Sequence, residues 1–248
     1  MSDYGWKPYV PVAKRLAQAE NQIKKARKAG KSLEPVTITT RAMATTFWGK
    51  AWCKNLEAYS DHQNRLPRAR TYVRNGAIID LKINSGRVIA QVIGSNRYQV
   101  EIDILPLPNE TWHELIEACT GSIESLVELL QGQFSKAVMG HICDTKTGLF
   151  PSPAEIKFVC SCPDSAQMCK HVAATLYGVG ARLDVDAKLL FILRQVDAND
   201  LLTAQTGNIT ENKKIPKASR ILSDASLNDI FGIELAAIDT PNLTKGNS

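Results

Sequence analysis

This 248-residue sequence predicts an α+β fold, in which a small antiparallel sheet of three or more strands carries flanking helices. Three observations lead there. The runs AIIDLKI, RVIAQVIG and YQVEIDILP alternate apolar and polar residues with the period of a strand. Apolar residues recur at helical spacing before and after those runs. Then Cys160, Cys162, Cys169 and His171 fall close together, in a chain with six cysteines and four histidines in all.

Taken in order, residues 1–35 hold a basic helix, PVAKRLAQAENQIKKARKAG, with a thin apolar stripe (Val12, Leu16, Ile23) and Gly30 at the C-cap position. Residues 36–108 form an α+β segment. It opens with a short strand at Val36–Thr39 and continues with a helix over residues 46–60. Phe47, Trp48, Trp52, Leu56 and Tyr59 give that helix an aromatic core face. RLPRARTYVRNG crowds Arg65, Arg68, Arg70 and Arg74 around Tyr72 and ends in an Asn-Gly turn. The three strands follow, the first two joined as a hairpin through Asn84-Ser85-Gly86.

Residues 109–149 are helical. Thr111 and Glu114 have capping-box spacing, SIESLVELL forms a second helix, FSKAVMGHI a third, and TKTGLFPSP a loop. In residues 150–202, EIKFVCSC reads as a strand and Lys170–Ala181, Asp186–Val196 and Asp197–Leu202 as helices, the last with Asp197 and Asp200 as a capping box. Residues 203–248 turn polar and read as a partly disordered tail. Its apolar island, SLNDIFGIEL, is a segment that docks on its own domain or on a partner.

Charge is unevenly spread. Residues 1–75 hold 15 Lys and Arg against 5 Asp and Glu, a net +10; the rest hold 15 against 20, a net −5. Such asymmetry points to a polyanion or an acidic protein surface as partner. The N-terminus lacks the apolar run of a secretion signal, and no stretch approaches a membrane span, so a soluble, cytoplasmic protein without a membrane partner is expected. In a reducing compartment, clustered cysteines favour metal over disulfide.

On a strand, Cys160 and Cys162 point to one face, and the Pro163-Asp164 loop is long enough to return Cys169 and His171 at a helix start. Three thiolates and one imidazole are a usual shell for Zn2+. Four protein ligands fill the tetrahedron, which makes the site structural rather than catalytic. Lys170 stands where it offsets the net negative charge of the loaded site, and Asp164 is a candidate acceptor for the free ring N–H of His171. Cys53 and Cys119 read as buried free thiols, and His141 and Cys143 as helix-end residues.

The pattern Cys160-x-Cys162, then Cys169-x-His171 followed by VAATLY, resembles the SWIM zinc finger. The resemblance implies a β-hairpin packed on a helix, closed around zinc, over residues 150–182. FWGKAWCKNLEAY, RLPRARTYVRNGAIIDLKINSGRVIAQVIGS and YQVEI widen it to the bacterial SWIM-finger proteins encoded near Swi/Snf-type helicase-like ATPases. It implies binding to DNA or protein and carries no assigned chemistry. No glycine-rich phosphate loop, His-Glu-x-x-His motif or nucleophile elbow is present, so no enzyme activity is expected.

Two functional readings stand. In one, Arg65, Arg68, Arg70 and Arg74 contact the phosphates of a nucleic acid, DNA before RNA, with Tyr72 or Trp48 stacking on bases. Lys24, Lys25, Arg27 and Lys28 add charge. In the other, the chain is a protein–protein adaptor with no direct nucleic-acid contact, and the arginines pair with downstream acids such as Glu114, Glu117, Glu124 and Glu128.

Overall fold

A computed structural model of the chain describes residues 10–59, 65–120, 136–144, 146–201 and 203. The expected helix at SIESLVELL and the tail segment SLNDIFGIEL lie outside those residues. Four strands, β1 (Ile78–Asn84), β2 (Arg87–Ile93), β3 (Arg97–Ile104) and β4 (Ile156–Cys160), pair antiparallel in the order β1-β2-β3-β4. The helices are α1 (Val12–Lys28), α2 (Phe47–Glu57), α3 (Arg65–Arg74), α4 (Asn109–Cys119), α5 (Lys136–Ile142), α6 (Lys170–Leu183) and α7 (Leu189–Arg194).

The alternation read from the sequence sets the faces of the sheet. Val88, Ala90 and Val92 of β2 and Val100, Ile102 and Ile104 of β3 all face one core, with Ile89, Gln91, Glu101 and Asp103 between them on the opposite side. β4 corrects one expectation. Instead of forming a hairpin of its own, it joins β3 as the fourth strand, with Val100 opposite Cys160 and Ile104 opposite Ile156. Segments read separately as 36–108, 109–149 and 150–202 therefore share a single core.

At the centre of that core lies α6. Residues 171–180 are all buried, as expected of a helix apolar on every side. α2, α3 and the sheet surround it. Close approach is possible because small residues stand at the crossings. A Cβ added to Gly49 of α2 would lie 2.6 Å from the carbonyl oxygen of Gly180 and 2.6 Å from the Ala44 Cβ.

The same crossing is pinned by Asp184. Its carboxylate accepts hydrogen bonds from the backbone N–H and hydroxyl groups of both Thr45 and Thr46, the hydroxyl bonds at 2.8 and 2.6 Å. Thr46 in turn caps α2, accepting from the Gly49 N–H. Burial pushes the Asp184 carboxyl up, but the four hydrogen bonds outweigh it and hold the group below its ordinary 3.8. A depressed carboxylate stabilises the fold above its unfolded pKa, and this contribution disappears as pH falls through the folded value. Asp184→Ala should therefore cost about 2 kcal/mol at neutral pH, and urea titrations should show that difference shrinking below about pH 4.

Five details differ from expectation. The RLPRARTYVR run is a helix, α3; Pro67 sits in its first turn, where its missing N–H is not needed. α4 starts at Asn109 without a side-chain cap, so Thr111 and Glu114 form no capping box. Asp200 bonds the indole N–H of Trp112 at 2.9 Å, a tertiary tie in place of a capping role. Val36–Thr39 is not a strand, yet its chain lies along β1: Val36 N–H donates to the Ile78 carbonyl and Leu81 N–H to that of Glu34. Phe47, assigned to the core face of α2, is 46% exposed, whereas Trp48, Trp52 and Leu56 are buried. α1 ends at Gly30 as expected, with Lys31 N–H bonding the Ala26 carbonyl. It packs on the other face of the sheet, where Ala19 meets Ile79 and Ile93. Among the described residues no helix is long and apolar enough to cross a membrane.

Candidate metal centre and the basic surface

Pairing of β4 with β3 carries Cys160 to the sheet end that faces the N-terminus of α6. Cys169 is the N-cap of α6, its sulfur accepting the Val172 N–H at 3.5 Å. His171 follows in the first turn and is buried. The loop 161–168 closes the distance, braced by Asp164, which accepts the Ala166 N–H. As a result the ligating atoms of Cys160, Cys162, Cys169 and His171 all lie within 4.8 Å of one another. His171 Nδ1 is 3.9 Å from the sulfurs of both Cys160 and Cys169. A tetrahedron with metal–sulfur bonds of about 2.3 Å and a metal–nitrogen bond of about 2.0 Å has edges of roughly 3.5–3.8 Å. The donor set and its spacing can thus hold one metal ion, with all four positions filled by protein.

The electrostatics agree with a site built for a cation. A hydrogen bond from the Cys160 thiol pulls the Cys169 thiol down to about 3 against the opposing effect of burial, with His171 and the Val172 N–H assisting. Cys160 is pushed up, first by that same bond and then by burial, and Cys162 is raised chiefly by burial. His171 is lowered by burial, against the raising effect of Cys169, so the imidazole stays neutral. A metal binds thiolates, so binding displaces the protons from the raised thiols.

Aromatic rings fix the orientation of His171. Tyr98 stacks on it at 4.3 Å and 27°, and Tyr72 meets it edge-on at 5.3 Å. Gly94 completes the enclosure, because a Cβ there would fall 2.9 Å from Tyr98, 3.1 Å from the Tyr72 oxygen and 3.2 Å from His171 Nε2. Asp164 is not the acceptor for the ring N–H: its carboxylate bonds Arg65 at 3.1 Å, and His171 Nε2 is buried without a hydrogen-bond partner. Sequence reasoning overlooked Tyr98 and Gly94. The alternation of YQVEI put Tyr98 on the core face, but only the β3–β4 register shows that this face leads to Cys160.

The arginines expected to gather round Tyr72 have separate tasks. Arg65 pairs with Asp164, and Arg70 pairs with Glu57 at 2.7 Å and bonds the Tyr177 hydroxyl. Arg74 donates to the Arg41 carbonyl. None of these partners is one of the downstream helix acids proposed for them. Arg68 is exposed. Tyr72 is buried, with His171 at its edge and the Arg15 guanidinium 4.8 Å over its ring, which leaves no face for a base; Trp48 is buried too. On α1, by contrast, Lys24, Lys25, Arg27 and Lys28 are exposed, and Lys31 continues the run. None of the five is in an ion pair among the described residues. Cys53 and Cys119 are buried free thiols, as expected.

No family model and no solved structure matches the chain. It is 32% identical over 167 residues to the uncharacterized protein Rv2102 of Mycobacterium tuberculosis. That match takes in 66% of this chain and 60% of the relative, so the chain spans less than two thirds of that protein's length.

Proposed function

We propose that this chain is a zinc-binding accessory protein with a structural SWIM-type finger, and that its basic N-terminal helix binds nucleic acid, DNA in the first instance, alongside a Swi/Snf-type helicase-like ATPase. The supporting observation is the run of exposed cations at Lys24, Lys25, Arg27, Lys28 and Lys31, none of them in an ion pair among the described residues. A helix carrying such a face suits a phosphate backbone, because each neutralised phosphate releases condensed counterions. Arg68 adds a further contact from α3. Arg65, Arg70 and Arg74 act as structural residues in this reading, since each has a partner inside the fold. Zinc is the preferred metal because three thiolates and an imidazole match its donor preference.

A salt titration tests the proposal. Binding to single- and double-stranded DNA should weaken steeply as salt rises. Changing Lys24, Lys25, Arg27 and Lys28 together to alanine should reduce the slope of log K against log salt by about 3. Undetectable binding at low salt to either form, or binding that ignores salt, removes this reading. The adaptor reading without nucleic-acid contact comes second, supported by the burial of Tyr72 and the internal pairing of Arg65 and Arg70.

A further inference from the structure

The two edges of the sheet are treated differently. Along β1, the chain at residues 34–36 uses the outward main-chain groups of Ile78 and Leu81. β4 has no such cover among the described residues. Its register shows which groups are open. Leu105 N–H donates to the Glu155 carbonyl at one end of the β3–β4 ladder, and Ser161 N–H to the Gln99 carbonyl at the other. The pairs between them alternate, so Lys157 and Val159 direct their main-chain groups at β3, whereas Ile156, Phe158 and Cys160 direct theirs away from it. Ile156 N–H bonds the Pro153 carbonyl. The N–H and C=O of Phe158 and the C=O of Ile156 remain facing outward.

Beside this edge opens a cleft of about 340 Å³, walled by Tyr59, Pro153, Phe158, Gln167 and Met168, with Lys157 at its lip. Lys157 is exposed. Its cross-strand neighbour, Asp103, is engaged with Arg87 at 2.9 Å, so the ammonium has no ion pair among the described residues. An isolated lysine on an edge strand also discourages pairing with other chains. The cleft next to it, of mixed lining with Pro153, Phe158 and Met168 as its apolar part, turns that charge into a selector, admitting strands that bring a carboxylate.

We propose that the open edge of β4 and its cleft bind an extended segment of a protein partner, one that carries an acidic residue next to an apolar side chain. The segment adds a fifth strand through Phe158, places its apolar side chain in the cleft and sets its carboxylate against Lys157. This site is independent of the basic face of α1, so either proposal stands if the other fails.

Fluorescently labelled heptapeptides in which Glu alternates with Leu, Ile or Phe, compared with the same peptides carrying Lys for Glu, provide the test on the full zinc-loaded chain. The acidic set should bind about tenfold more tightly, since an attraction replaces a repulsion. Binding should slow hydrogen exchange at the Phe158 amide, and Lys157→Glu should reverse the preference. The quadruple alanine variant of α1 should bind these peptides as the wild type does. Equal affinity for the two sets, binding that leaves the Phe158 amide unchanged, or absence of binding would overturn the proposal. So would slowing of that amide by protein concentration alone, which assigns the edge to a second copy, or by a DNA oligonucleotide, which assigns it to nucleic acid.

Discussion

Cys162→Ser or His171→Ala is expected to strip the metal from the purified protein and to lower its stability by at least about 4 kcal/mol. Elemental analysis of the wild type should find about one zinc per chain. The effect is large because of where the site sits. It ties β4, a strand of the main sheet, to the first turn of α6, the helix on which the whole core packs. Metal loss therefore exposes a core element instead of freeing a peripheral loop, and hydrogen exchange should rise across residues 156–183. The high proton affinity of Cys160 and Cys162 adds a pH dependence: protons compete with the metal at those two sulfurs, so a chelator should extract it faster as pH falls. A wild-type protein purified without metal, with the same melting temperature as the two variants, would contradict the assignment.

Gly49→Ala should destabilise the protein by about 3 kcal/mol or more, the range of a core substitution that the backbone cannot absorb. The new methyl meets the Gly180 carbonyl, the Ala44 Cβ and the Asp184 carboxylate together. Two of these are held by main chain, and moving the third breaks its bonds to Thr45 and Thr46. Gly180 offers no relief, because a Cβ there would lie 2.8 Å from the Cys53 sulfur. Thermal unfolding followed by circular dichroism measures the loss. An unchanged midpoint would mean that α2 and α6 can separate at little cost, and the account of their crossing would be wrong.

Local chemistry made much of this molecule readable in advance. Alternation identified β1, β2 and β3 and matches the faces of β2 and β3, because a strand turns a side chain to the other side at every residue. β1 departs from it, with Ile78 and Leu81 on the same core and the register shifting between Ile78 and Asp80. Spacing alone also named the four residues whose donor atoms converge, since two pairs at i, i+2 joined by a short loop can be brought together by it. Gly30 marked the end of α1 for an equally local reason, its left-handed φ of +71°. The α3 helix escaped because Pro67 and the Thr71-Tyr72-Val73 run lower its helical propensity, and its stability comes from packing against α6.

What depends on distant residues was not legible. The four arginines near Tyr72 looked like one basic patch by their spacing. Only the folded chain brings Asp164 to Arg65 and Glu57 to Arg70 and turns Tyr72 inward, leaving α1 as the open basic face. Likewise, sequence marked β4 as a strand but not as an edge strand, because strand order is decided by which main-chain groups find partners across more than fifty intervening residues. The sequence by itself determined the four residues whose donor atoms converge and the strands β1, β2 and β3, through periodicity and spacing over a few residues. Tertiary structure alone decided which charges and which strand edge remain available to partners, because availability is whatever the packed chain leaves unsatisfied.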